Sequence, residues 1–99
     1  ANEVATLFAN EREAAKDLLA LWLRWWRDLL LIKEGASEFL HNTDHEESLN
    51  NQASDLSTAE ILHFINQMIQ TMSNLDSNVN PRLAMEVLML NLPIKAGQV

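Results

Sequence analysis

His41 and His45 stand four residues apart, with Asp44, Glu46 and Glu47 beside them. On an uninterrupted helix that spacing puts two imidazoles on one face, with carboxylates near enough to complete a zinc site. Thr43-Asp44, however, reads as a helix start lying between the histidines, which breaks the register and leaves them as solvated loop residues. His63 falls on the polar face of its helix, with no acid or nucleophile at helical spacing. Gly35 and Gly97 are the sole glycines, too few for a phosphate-cradling loop, and no Ser/His/Asp set has a workable spacing. Cysteine is absent, so thiolate ligands and cysteine nucleophiles are excluded. Glu46 and Glu47 read as negative charge at a helix start, where the dipole favours it, and not as an acid/base pair. The expectation is a chain with no catalytic residue, no metal and no cofactor, and so not an enzyme.

The 99 residues suit a single helical domain spanning 1–99. Seven basic against fourteen acidic side chains give a net charge of −7, which opposes phosphate backbones and anionic lipid. No direct nucleic-acid contact, no membrane and no small-molecule substrate is expected. The most apolar stretch, Leu18 to Ile32, carries Arg24, Arg27 and Asp28 and falls short of the roughly 20 apolar residues a membrane span requires. No basic opening segment followed by an apolar one suggests a secretory signal. The first residues already look like the inside of a helix, so the chain reads as an excised piece of a longer one. Trp22, Trp25 and Trp26 with Arg24 and Arg27 admit an alternative, an interfacial membrane-associating helical module. Against it, the tryptophans lie on an apolar arc shared with leucines, where they serve helix packing.

Two glycines, two prolines and no tyrosine, with abundant Leu, Ala, Met, Asn and Gln, point to an all-α bundle of about four helices. The first starts near Asn2 or Glu3 and ends before Lys33-Glu34-Gly35, where Gly35 is placed to cap it. At about 30 residues it would run about 45 Å, longer than a compact domain of this size is wide. Leu18, Trp22, Trp25, Leu29 and Ile32 align on it, with Leu19, Leu23, Trp26 and Leu30 alongside. Val4, Leu7, Ala14 and Ala15 extend the line, interrupted by Glu11, which must be solvated or met by a basic partner. A weak second helix has Asp44 and Glu47 as its capping pair and Leu49 and Ala53 to bury, with Leu56 just after. A third has Ser57 and Glu60 as a capping box, with Ile61, Ile65, Met68, Met72 and Leu75 inward.

The closing helix is apolar nearly all round. Asn80 caps it, Pro81 occupies the first turn and Pro93 follows its end. Leu83, Val87 and Leu90 line one face and are assigned to the core, together with Leu18, Trp22, Trp25, Leu29, Ile61, Ile65, Met68 and Met72. Met85, Met89 and Leu92 line the opposite face. A helix with two apolar faces is central to its domain or sandwiched against a partner. Arg82, Met85, Glu86 and Met89, or the exposed side of the long first helix, are the candidate subunit interface.

Three stretches carry a family resemblance: "LLALWLRWWRDLLLIKEG" (18–35), "FLHNTDHEESLNNQAS" (39–54) and "LSTAEILHFINQMIQTMSNLDSNVNPRLAMEVLMLNLP" (56–93). Most telling are Trp26-Arg27-Asp28-Leu29-Leu30 before a Lys-x-Gly helix end, and Asn80-Pro81-Arg82-Leu83 leading into Glu86 and Leu88. The chain resembles the carboxy-terminal region of bacterial DNA polymerase III clamp-loader subunits, most of all delta-prime; gamma/tau has a similar closing helix. The resemblance implies a helical collar domain that assembles with the gamma/tau and delta collars into a five-membered ring. That ring holds the ATPase modules that load the sliding clamp during DNA replication in the cytoplasm. Nucleotide-binding loops, the arginine finger and clamp contacts belong to other modules of that family, and no residue here matches them. The implied role is non-catalytic oligomerisation.

Overall fold

A computed structural model describes residues 2–77 and 79–93, with the side chains of residues 2–9 left out of the description. Four helices follow in order: α1 (Asn2–Lys33), α2 (Glu46–Ser54), α3 (Thr58–Asp76) and α4 (Pro81–Leu90). Two 3-10 turns, Ser37–Phe39 and Thr43–His45, lie between α1 and α2, and the described residues contain no strand. This is the all-α, four-helix arrangement with a long first helix that the sequence predicts.

At 32 residues α1 runs about 48 Å, which accounts for the long dimension of a body measuring 50 × 28 × 20 Å. It is the spine: α2, α3 and α4 all pack on it, and α3 also packs on α4. Gly35 ends it as predicted, with φ of 74°. Ala36 N–H donates to Leu31 O at 2.8 Å and Gly35 N–H to Ile32 O at 3.1 Å, the paired bonds of a Schellman cap. A side chain at position 35 would meet no atom within 4 Å, so it is the left-handed backbone, not crowding, that calls for glycine there.

The core joins Leu19, Trp26 and Leu29 of α1 to Leu49 and Ala53 of α2, Ile61, Phe64, Met68 and Leu75 of α3, and Ala84 and Leu88 of α4. Trp26 meets Phe64 with ring centroids 4.6 Å apart, tying α1 to α3. Leu29, Ile61 and Met68 are buried as predicted, while Trp22, Trp25, Ile65 and Met72 pack partly buried against the core. Leu18 is corrected: it is 40% exposed, because the inward line runs one residue later, through Ala15, Leu19 and Trp26. Val4 and Leu7 belong to the side chains outside the description, and Ala14 is exposed.

Both helix starts predicted with strong signals form. The Ser57 hydroxyl accepts from Glu60 N–H, and Glu60 Oε1 accepts from Ser57 N–H, each at 3.0 Å. The Asn80 side chain accepts from the N–H groups of Arg82 and Leu83. The Asp44–Glu47 cap does not form. Asp44 lies inside the 3-10 turn, closed by His45 N–H donating to Asn42 O, and α2 begins at Glu46 without a side-chain cap. An N-cap needs extended backbone, and Asp44 is already turning.

The larger correction concerns α4, where Leu83, Val87 and Leu90 were assigned to the core. They are 55%, 50% and 85% exposed. Pro81, Ala84 and Leu88 are buried instead, with Met85 and Leu92 packed against the core. At 100° per residue, positions 81, 84, 85, 88 and 92 form one stripe and 83, 87 and 90 the opposite one. The small Ala84 on the inward stripe lets α4 lie close to α1 and α3. Bulk alone favoured the wrong side.

A buried acid fixes the connection. Asp28 is fully buried on α1, and its carboxyl oxygens accept from His41 N–H (2.9 Å), Asn42 N–H (2.7 Å) and the Asn42 side-chain amide (2.8 Å). Replacing Asp28 with Ala should lower stability by about 2–4 kcal/mol in urea unfolding, since three buried or half-buried donors lose their acceptor. The α4 orientation has its own check: Met85→Glu should destabilise by several kcal/mol, as expected for burying an unpaired charge. Met89→Glu should change stability by about 1 kcal/mol or less. Equal effects of the two substitutions would contradict this orientation.

Candidate interaction surface

The outward stripe of α4 presents Leu83, Val87 and Leu90 to solvent, with Met89 46% exposed beside them. Three large apolar residues on one exposed helix face exceed the scattered single leucines of an ordinary surface. The stripe is rigidly presented. Asn80 caps the helix start, the buried Pro81 seats it, and Arg82 crosses to α1, where its Nε and Nη2 donate to Glu11 Oε1 at 3.1 and 2.7 Å.

That ion pair answers the question raised by Glu11 within the apolar stripe of α1. The basic partner is intramolecular. Arg12 adds a second cross-link, its Nη2 donating to Val79 O at 3.0 Å. Lower on the same side, Lys16 pairs with Asp76 at the end of α3, and the hydrogen bond its ammonium donates to that carboxylate raises the lysine above its ordinary pKa of 10.5.

A second feature is a cleft of about 480 Å³ over the middle of α1. Leu21, Trp22, Trp25 and Trp26 form its floor, Gln52 and His45 one wall, and Met89 and Leu92 the other. Trp25 is held by its indole N–H, which donates to Gln52 Oε1 at 2.8 Å, and by the His45 ring 5.8 Å away. Among the described residues α2 and α4 share no close backbone contact across it.

The predicted interface residues therefore separate. Glu86 and Met89 are exposed; Arg82 is exposed but engaged with Glu11; Met85 packs behind the helix, against the core. Sequence reading missed Asp28, which falls just outside the apolar arc of α1, on the edge it shares with Asp17 and Arg24, so its helical position marked it as an ordinary surface charge. It also missed Phe64, though its place on α3 beside Ile61 and Met68 was visible.

The histidines do not assemble. His41, His45 and His63 are exposed, and no group of three or more His, Cys, Asp or Glu side chains among the described residues could hold a metal ion. The tryptophan helix is committed inward, with Trp26 buried against Phe64 and Trp25 hydrogen-bonded to Gln52. Among the described residues no helix is long and apolar enough to cross a membrane.

Because both Glu11 and Arg82 reach solvent, their coupling in a double-mutant cycle with alanine should be about 0.5–1 kcal/mol, and it should shrink in 1 M salt.

The family model described as "DNA polymerase III, delta subunit, C terminal" matches residues 1–93. No curated protein and no solved structure matches the chain. The match takes in all four helices, the Asp28 clasp and the outward stripe of α4, and by it the chain belongs to the carboxy-terminal family of DNA polymerase III delta subunits, components of the clamp loader.

Proposed function

We propose that this chain is the non-catalytic collar domain through which a delta-prime-type clamp-loader subunit joins the gamma/tau and delta collars in a ring. It is then one piece of a larger cytoplasmic subunit, whose other modules handle nucleotide and clamp. The observation that carries the reading is the outward stripe of α4, an apolar surface its own bundle leaves open. The interface is proposed to centre on Leu83, Val87 and Leu90. Of the residues first singled out, Glu86 and Met89 stand at its margin, Arg82 fixes the helix through Glu11, and Met85 supports it from behind.

A charge-poor centre with polar edges is the usual anatomy of such a contact. The delta-prime reading leans on Trp26-Arg27-Asp28-Leu29-Leu30 before the Lys-x-Gly helix end, since Asn80-Pro81-Arg82-Leu83 opens a closing helix that gamma/tau shares.

The test is reconstitution of the loader from intact subunits, omitting delta or delta-prime in turn. The full-length parent of this chain should restore assembly where delta-prime is missing. Rescue confined to the delta-deficient mixture would remove the delta-prime assignment. The double variant Leu83→Glu/Val87→Glu should unfold at a denaturant midpoint close to the parent's, within about 0.5 kcal/mol, because both side chains are already in solvent. It should nevertheless lose assembly; a variant that still assembles would move the interface elsewhere.

A further inference from the structure

We infer that the cleft between α2 and α4 is a seat for one amphipathic helix of a protein partner, apolar on one face and basic along its flanks. Leu18 and Leu21 are exposed, and Trp22 and Trp25, which pack against the core, keep part of their surface in solvent, so α1 presents apolar surface at i, i+3, i+4 and i+7 along one edge of its core-facing side. This spacing is the one a docking helix reads. The stripe lies between two helices of the same bundle that share no close backbone contact. Among the described residues the cleft opens to solvent over α1 between these two helices.

Its apolar side is Leu21, Trp22, Met89 and Leu92, and its polar rim, Asn42, His45 and Gln52, carries no acid. Trp22, Trp25 and Met89 supply the aromatic and thioether surface that favours an inserted apolar side chain.

Charge identifies the flanks of the occupant. Asp17 lies one turn before Leu21, Asp44 and Glu46 bracket His45, and Glu86 lies one turn before Met89; all four are exposed and form no ion pair among the described residues. The chain as a whole carries −7. An acidic helix would be repelled, and a lysine- or arginine-flanked one drawn in. The cleft shares Met89, and its flank shares Glu86, with the margin of the α4 stripe, but Leu21 lies on α1 outside that stripe, so a test at Leu21 reads the cleft apart from collar assembly.

The probes are two designed helical peptides sharing one Leu stripe at i, i+3, i+4 and i+7, one flanked by Lys and the other by Glu. Each is titrated into the full-length subunit while tryptophan emission is followed. The Lys peptide should shift the emission saturably and bind more weakly in high salt, and the Glu peptide should bind about tenfold more weakly or not at all. Leu21→Glu, at a position already in solvent, should leave thermal unfolding unchanged and weaken the Lys peptide about tenfold or more. Equal binding of both peptides, no binding of either, or binding indifferent to Leu21→Glu would overturn the inference. So would concentration-dependent self-association that Leu21→Glu abolishes, since the occupant would then be a second copy of the chain.

Discussion

The carboxyl group of Asp28 gathers the chain after α1. Once the Schellman cap at Gly35 has turned the backbone out of the helix, the following segment sends Leu40 into the core but leaves Phe39 in solvent. Asp28 takes hold of the backbone at His41 and Asn42 and brings that segment back alongside the helix it has just left. Everything downstream uses that anchor. It sets where the Thr43–His45 turn closes and where α2 begins, so that Leu49 and Ala53 reach the core and Gln52 reaches the indole of Trp25. One wall of the cleft over α1 is therefore placed by a buried acid on the floor's own helix.

How much of this was legible in the sequence depended on the range of the signal. Gly35, the Ser57–Glu60 box and Asn80-Pro81 are local devices, each satisfying backbone groups within a few residues, and each marked an element correctly. Asp44, read as the cap of the weak second helix, failed. The clasp made by a residue 14 positions earlier at Asn42 had already committed its backbone to a tighter turn. No local pattern announces a bond of that span.

The choice of face was harder. On α1 the apolar arc is wide enough that two lines compete, and the inward one passes through Leu19 and Trp26 beside the line that contains Leu18. On α4 the two apolar stripes are nearly opposite, and tertiary packing selects the one with Ala84 at its centre because a small side chain permits close approach. The helix that carries the candidate interface was identifiable, and its orientation was not. Arg82 shows the same limit from another direction: it was read as available to a partner, yet it neutralises Glu11 across the bundle. A polar residue facing inward on one helix finds its answer on an element far away in sequence.

The contacts that hold the start of α4 span 67 residues from Arg12 to Val79 and 71 from Glu11 to Arg82. They close the longest loops among the hydrogen bonds described above, and closing a loop of that size in a free chain carries a conformational cost of its own. Here α2 and α3 have already folded back along α1, so the chain is delivered to Glu11 over a much shorter path. The exposed polar pair can therefore act as a latch on an assembled scaffold without having to assemble it. The two ends of α4 are thus held by different physics: polar bonds to α1 tie its first turn, while the packing of Leu88 and Leu92 on the core seats its last, with Leu90 left facing solvent.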